Sequence, residues 1–182
     1  MAPELHFDLT LYPDPLLRRP SLAVAAFDEE LRAIVAGMFE RMYASKGVGL
    51  AAPQVGLKKR ILVLNPTGEK QDELVLVNPR ILGRSGAATL FEEGCLSFPG
   101  IYAEVERPEI CRVQAFRADG TPFEQEYGGF TSRIIQHEYD HLEGVLLVDR
   151  MSPADRLRNK AALEELIEKY KRKASAVSPS RA

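Results

Sequence analysis

The stretch Gln136-His137-Glu138-Tyr139-Asp140-His141 decides how this sequence is interpreted. It lies within residues 131–142, whose apolar spacing predicts a helix that is closed by Gly144 in a left-handed conformation. Because His137 and His141 are four residues apart, they lie on one face of that helix and can reach one metal ion. Glu138 lies about 100° round from His137 and flanks the open position of the metal. The pattern therefore predicts a hydrolytic metal site.

A catalytic site of this kind takes three protein ligands and leaves one position for water, so one ligand lies outside the motif. Metzincins have a histidine six residues after the second histidine of the motif, and Leu147 at that position excludes this class. Thermolysin-like peptidases use a glutamate on a later helix. The candidates for that role are Glu164, Glu165 and Glu168. These glutamates are equally explained as the solvent-exposed face of the last predicted helix.

The two cysteines of the chain have different surroundings. Cys95 is the other candidate for the third ligand, because a thiolate is a strong soft ligand and Gly94 lets the backbone come close. Cys111 stands in the middle of a predicted strand and is expected to be a small buried residue. A chain of 182 residues can bury a sufficient core without a disulfide, so we expect a reducing compartment, the cytoplasm.

The charge balance excludes a general affinity for polyanions. The chain has 24 basic and 26 acidic side chains, a net charge of −2, and no stretch that approaches the roughly 18 apolar residues of a membrane span. We therefore expect no membrane partner. The segment 153–173 has seven basic and four acidic residues, which suggests a contact with ribosomal RNA, although the helix dipole alone also favours cations at its end.

The remaining pattern predicts a mixture of helices and strands in one domain, residues 1–173. A proline-rich arm at 11–20 is followed by an amphipathic helix from Asp28 to about Ser45, a glycine-rich loop at 47–56 and a last helix from Ser152 to about Lys173. Residues 174–182 are expected to form a disordered tail. Strands are predicted at 60–64, 74–78, 88–92, 101–106, 110–117 and 123–127.

Three segments together resemble the peptide deformylase family: residues 47–54 (GVGLAAPQ), residues 93–97 (EGCLS) and residues 136–141 (QHEYDH). They occur in the family's order, and the resemblance covers essentially the whole domain. It implies an α+β fold in which antiparallel sheets pack around a central helix that carries HExxH, with an N-terminal and a C-terminal helix. It also implies a hydrolase that removes the formyl group from N-formylmethionyl peptides and releases formate.

The resemblance assigns roles to residues of this sequence. The implied metal ligands are Cys95, His137 and His141. The implied catalytic groups are Glu138 as general acid and base, with the Gln54 side chain and the Leu96 amide as oxyanion donors. Gly49 is expected to line the substrate channel. The expected slot for methionine is formed by apolar residues near the motifs, each of which is also a plausible core residue: Val48, Phe91, Phe130, Ile134 and the His137 ring. The implied metal is Fe²⁺, with Zn²⁺, Ni²⁺ or Co²⁺ as substitutes.

The resemblance does not assign a role to two residues near the motifs, Arg133 and Tyr102. Arg133 departs from the apolar residue that is often found near the mouth of the pocket, and we interpret it as an exposed charge. Tyr102 is interpreted as an ordinary strand residue. Two other functions stay open from the residues alone, namely a thermolysin-type zinc peptidase and a non-catalytic module in which HExxH holds a structural metal.

Overall fold

Within residues 5–177, which the computed structural model describes, five strands form one antiparallel sheet in the order β1-β2-β3-β4-β5. The strands are β1 (Gly49–Ala51), β2 (Ile61–Leu64), β3 (Leu74–Cys95), β4 (Phe98–Phe116) and β5 (Pro122–Gly128). The helices are α1 (Glu29–Ala44), α2 (Gly129–Leu142), α3 (Leu147–Arg150), α4 (Pro153–Arg158) and α5 (Lys160–Val177). The predicted α+β class is confirmed.

The sheet differs from the predicted set of short strands. The predicted strands 74–78 and 88–92 belong to one continuous strand, β3, and 101–106 and 110–117 both fall in β4 apart from Arg117. Shifts in the β3–β4 register, for example between Ser85 and Ala88, bend the two strands without breaking their pairing. The glycine-rich segment was predicted as loop, but Gly49–Ala51 pairs with Leu62–Leu64 as β1.

The ends of the helices can be compared with the ends that the sequence predicts. The helix predicted from Asp28 is present as α1, and the Asp28 carboxylate caps it by accepting a hydrogen bond from the Leu31 amide. The single helix predicted from Ser152 is split at Asn159 into α4 and α5. Residues 174–177 of the predicted tail are helical, and its remaining residues, 178–182, lie outside the described residues.

The helix with HExxH is buried in the middle of the fold. Its residues Ile135 and Leu142 are fully buried in a cluster with side chains of β2, β3 and β4. A second cluster joins α1 to β1 and β2, and a third joins α3 and α5 to β4. Packing on several sides holds α2 rigidly, and the histidine side chains that it carries are therefore fixed in direction.

The C-terminal end of α2 fits tightly against the N-terminal arm. Gly144 adopts a φ of 73°, its amide donates to His141 O, and the Val145 amide donates to Asp140 O, which is a Schellman motif. A Cβ atom at Gly144 would overlap the carbonyl of Arg18. The predicted left-handed glycine is therefore required both by its backbone conformation and by this close approach.

Gly144→Ala is expected to lower the free energy of unfolding by about 2–4 kcal/mol, because the left-handed conformation costs about 1–2 kcal/mol in a residue with a Cβ and the overlap adds to it. Gly68→Ala is the matched control, since Gly68 has a φ of 85° but no atom within 4 Å of an added Cβ. Denaturant titration of both variants separates the two costs. Equal losses would show that the contact with Arg18 relaxes freely.

Candidate metal centre

The three predicted ligands meet at the end of a hairpin. Cys95 is the last residue of β3, and His137 and His141 project from α2 towards it. The ligand atoms of all three side chains lie within 4.8 Å of one another, with Cys95 Sγ 3.3 Å from His141 Nε2. Tetrahedral Zn–S and Zn–N bonds of about 2.3 and 2.1 Å place such atoms about 3.6 Å apart. The donor set and its spacing fit a divalent metal ion.

The later glutamates do not take part in this cluster. They are exposed on α5, where they pair with lysines of the same helix. The pairs are Lys160–Glu164, Lys169–Glu165 and Lys171–Glu168. Among the described residues, the group that could hold a metal ion consists of Cys95, His137 and His141, and no glutamate of α5 belongs to it.

His137 is held in place by Glu93. Its Nδ1 lies 2.9 Å from Glu93 Oε2. Burial alone would raise the pKa of Glu93, but the hydrogen bonds from His137 and Arg107 outweigh it and lower the pKa to about 2. An ionised carboxylate can only accept, so Nδ1 of His137 donates to it, and Nε2 is the ring nitrogen that is left to bind a metal ion.

A buried ion-pair network, which the sequence analysis missed, surrounds Glu93. Arg107 donates from Nε and Nη2 to Glu93 and from Nη1 to Asp140, at 2.7, 3.0 and 2.9 Å. Arg150 donates to the other side of Asp140. Arg107 follows Ile101, Ala103 and Val105 on the buried face of β4, and this alternation is the signal that could have identified it as an inward-facing charge.

Two buried polar atoms near the ligands have no hydrogen-bond partner among the described residues. They are His141 Nδ1 and Glu138 Oε2. Burial lowers the pKa of His141 well below its ordinary value, which keeps the ring in the neutral form that binds metals, and burial raises the pKa of Glu138 to about 7. Buried polar atoms are normally satisfied, so Glu138 Oε2 indicates a site built for water or substrate, whereas His141 Nδ1 is not the nitrogen that faces Cys95.

The Gln54 side chain also reaches this centre. Its Oε1 accepts a hydrogen bond from the Ala51 amide at 2.8 Å, which directs Nε2 towards Cys95 Sγ at 3.6 Å and Ser97 Oγ at 3.3 Å. The N-terminal arm connects the two segments, because the Thr10 amide donates to Gln54 O and the Tyr12 amide donates to Ser97 O. Leu96, between Cys95 and Ser97, lies in the tight turn from β3 to β4.

A cleft of about 620 Å³ opens onto this centre. Cys95, His137 and Glu138 line it, whereas His141 and Gln54 are buried behind it. Besides His137, the five residues predicted to contact substrate are all in its wall: Val48, Gly49, Phe91, Phe130 and Ile134. Tyr102 lines the cleft as well, with its ring against Gly94 and its carbonyl bonded to Asn159 Nδ2.

The interpretation of Arg133 as an exposed charge is wrong. Arg133 is only 8% exposed, and its guanidinium donates hydrogen bonds to Glu93 and to backbone carbonyls of β3 and β4. A buried cation of this kind is stable because acceptors of the sheet and a carboxylate surround it. The sequence gives no sign of this partner, since Glu93 lies forty residues earlier.

Comparison with known proteins decides the family. The polypeptide deformylase family matches residues 7–157 of this chain. The chain belongs to the polypeptide deformylase family. As a member it is a metal-dependent hydrolase that removes the N-formyl group from newly synthesised polypeptides. This result confirms the resemblance seen in the three sequence segments.

Relatives in the deformylase family match over nearly the whole chain. Peptide deformylase 1B (chloroplastic/mitochondrial) of Arabidopsis thaliana is 46% identical over 188 residues, covering 99% of this chain and 68% of the relative. Peptide deformylase of Alkalilimnicola ehrlichii is 46% identical over 88% of this chain and 90% of its own length. A plant peptide deformylase crystal structure matches with a TM-score of 0.89 and 45% identity over 96% of this chain and 95% of that one.

The peptide deformylase of Plasmodium falciparum has the same fold, with a similar TM-score and sequence identity to this chain. Its crystal structure matches with a TM-score of 0.88 and 43% identity, covering 90% of this chain and 97% of that chain.

Within residues 5–177, no helix has the length and apolar character needed to cross a membrane.

Gly49→Ala is expected to lower the deformylase kcat by about ten- to a hundredfold without loss of metal. A Cβ at Gly49 would lie 2.6 Å from Glu138 Oε1 and from Ile134 Cγ2, so the carboxylate must move away from its position, and displacements of this order cost up to about a hundredfold. Gly83→Ala, with no neighbour within 4 Å, is the control. An unchanged kcat in Gly49→Ala would mean that the cleft adapts to the methyl group.

Proposed function

We propose that Cys95, His137 and His141 hold the catalytic metal ion of this deformylase, and that residues 1–173 act as a single catalytic domain. The observation that carries this proposal is the meeting of the three ligand atoms beside Glu138 at the base of the cleft. A divalent ion on these ligands would lower the pKa of water and polarise the formyl carbonyl. The ion pairs around Glu93 keep His137 directed at that position.

Glu138 acts as general base and then as general acid. It takes a proton from water as the water oxygen attacks the formyl carbon, and it gives that proton to the nitrogen of the departing amine as the C–N bond breaks. The products are formate and a free N-terminus. Oε2 of Glu138 is buried and bonded to none of the described residues, so it is free to exchange this proton.

Gln54 and Leu96 stabilise the oxyanion that develops on the formyl oxygen. The Gln54 amide is locked through its Oε1, so its Nε2 donors cost no reorganisation when charge appears. The Leu96 amide belongs to the same turn as Cys95 and is proposed as the second donor. The N-terminal arm, through Thr10 and Tyr12, holds these two segments at a fixed distance.

The wall of the cleft binds the methionine side chain of the formylated residue. Val48, Phe91, Phe130 and Ile134 supply apolar surface, and Gly49 supplies a backbone without a side chain close to Glu138. An unbranched thioether suits such a surface, since sulfur makes favourable contacts with aromatic rings. The substrate is an N-formylmethionyl peptide.

Formate release tests this function directly. The protein, purified without oxygen, is expected to release formate from formyl-Met-Ala-Ser, with about one metal ion per chain in the same sample. Acetyl-Met-Ala-Ser serves as the control for general amide hydrolysis. A metal-loaded protein that releases no formate would overturn the proposed activity.

Ferrous iron is the proposed metal, with Zn²⁺, Ni²⁺ and Co²⁺ as substitutes. The family resemblance supports iron, although a thiolate and two imidazoles bind Zn²⁺ more tightly than Fe²⁺ by the Irving–Williams order. Iron beside a thiolate makes the site sensitive to oxidants, so peroxide is expected to abolish activity together with oxidation of Cys95. Activity that survives long exposure to peroxide would exclude ferrous iron.

We also propose that α5 contacts ribosomal RNA, where the nascent substrate emerges, and that the protein works in the cytoplasm. Arg172 and Lys173 near the end of α5 support the first proposal, although Lys169 and Lys171 pair with neighbouring glutamates. A chain length that can bury a sufficient core without a disulfide supports a reducing compartment. The RNA contact is tested by sedimentation with ribosomes at increasing salt, in which wild type is compared with the double variant Arg172→Glu/Lys173→Glu. The location is tested by cell fractionation.

A further inference from the structure

Arg133 is a buried charge in the wall of the substrate cleft. Its Nη1 donates to Glu93 Oε1 at 2.9 Å and to Val105 O at 3.0 Å, and its Nη2 donates to Thr89 O at 2.7 Å and to Thr89 Oγ1 at 2.9 Å. These four hydrogen bonds fix the plane of the guanidinium against β3 and β4. The orientation of the plane is therefore set by the sheet and not by solvent.

The face of this fixed cation supports an exposed aromatic ring. The guanidinium carbon of Arg133 lies 5.3 Å from the centre of the Phe91 ring, within the range of a cation–π contact. Phe91 is 49% exposed and packs on Phe130, which is 46% exposed, with the ring centres 6.2 Å apart. Both rings stand in the wall of the cleft. Arg133, which is itself buried, therefore supports the half-exposed Phe91 ring, and Phe130 packs against the same ring.

The contact of Arg133 with Glu93 is not needed to hold the metal ligand. Arg107 already donates to both oxygens of Glu93, and Glu93 Oε2 bonds to His137 without help from Arg133. Loss of Arg133 therefore leaves the carboxylate paired and the histidine oriented. What it removes is the support of Phe91 and the bonds to Thr89 and Val105.

We propose that Arg133 is a positioning residue that sets the side-chain selectivity of the cleft by fixing the Phe91 ring. The inference rests on the proposed function, in which this wall binds the methionine side chain. A ring held at one position offers a surface that a long thioether fills and a short side chain does not. A ring that moves fits methionine less well and discriminates less against shorter side chains.

Arg133→Met, which has a similar length but neither charge nor donors, tests the proposal. It is expected to retain its metal, to raise KM for formyl-Met-Ala-Ser about three- to tenfold with kcat within about twofold, and to reduce the preference for formyl-Met-Ala-Ser over formyl-Ala-Ala-Ser by a similar factor. Arg112→Met is the control, because Arg112 is an exposed arginine of β4 paired with Glu124. It is expected to match wild type on both peptides.

A double-mutant cycle with Phe91→Leu separates positioning from a general structural effect. If Arg133 acts through the Phe91 ring, the double variant loses little more selectivity than either single variant. Independent, multiplying losses, an equal fall of kcat/KM on both peptides, or loss of metal from Arg133→Met would overturn the proposal. Arg133→Lys keeps the charge but not the planar face, so it is expected to lose the same selectivity, and it carries the test if Arg133→Met does not fold. Wild type that releases no formate from either peptide would refute the proposed function instead.

Discussion

Glu138→Ala is expected to lower kcat/KM for formate release by about 10²- to 10⁴-fold while the metal content stays that of wild type. Glu138 is one of the two groups near the ligands with a buried atom that has no partner among the described residues. It is also placed beside Gly49, at the floor of the cleft. A proton shuttle needs such a group, and alanine cannot replace it.

The same substitution is not expected to lower the thermal stability. Burial raises the pKa of Glu138 to about 7, which means that the fold disfavours its charged form, so removing the carboxylate relieves a cost at neutral and higher pH. Formate assays, metal analysis and thermal melting on the same samples test all three expectations. Glu138→Gln keeps the volume of the side chain but has no carboxylic acid. It therefore distinguishes the loss of proton transfer from a change in the shape of the site. Unchanged formate release in Glu138→Ala would mean that another group shuttles the proton, and the proposed role would fail.

Arg107→Met is expected to lower the free energy of unfolding by about 3–5 kcal/mol and to weaken metal binding. Arg107 is 5% exposed and joins Glu93, which holds His137, to Asp140, which precedes His141. Methionine fills a similar volume but leaves these two buried carboxylates with less compensating charge. Because Glu93 contacts His137 and Asp140 directly precedes His141, a rearrangement of the two carboxylates is expected to displace the proposed ligands and so to weaken metal binding.

Arg112→Met is the matched control for this second prediction too. It removes an arginine from the same strand, but from an exposed pair with Glu124, and such pairs contribute less than about 1 kcal/mol. Denaturant titration and metal titration of both variants measure the two effects. Equal stability losses in Arg107→Met and Arg112→Met would show that the buried network does not stabilise the fold.

Local patterns in the sequence predicted the parts of the fold that depend on neighbouring residues. The spacing of His137 and His141 predicted the helix and placed both histidines on one face of it, and Asp28 and Gly144 marked the ends of α1 and α2. These features are encoded within one or two turns of chain, where propensity and capping act directly. The family resemblance added Cys95, which spacing alone left as one of several candidates.

Only the tertiary structure decided the features that join distant segments. The pairing of Gly49–Ala51 as β1, the continuous length of β3 and β4, and the place of Arg133 beneath Phe91 all depend on where the chain returns. Glu93 likewise meets His137 across 44 residues. Residue periodicity records which face of an element is buried, but it does not record which partner covers that face. The sequence by itself therefore determined which side chains are available for the proposed centre, and the packing of the sheet around α2 determined how those side chains are brought together and held.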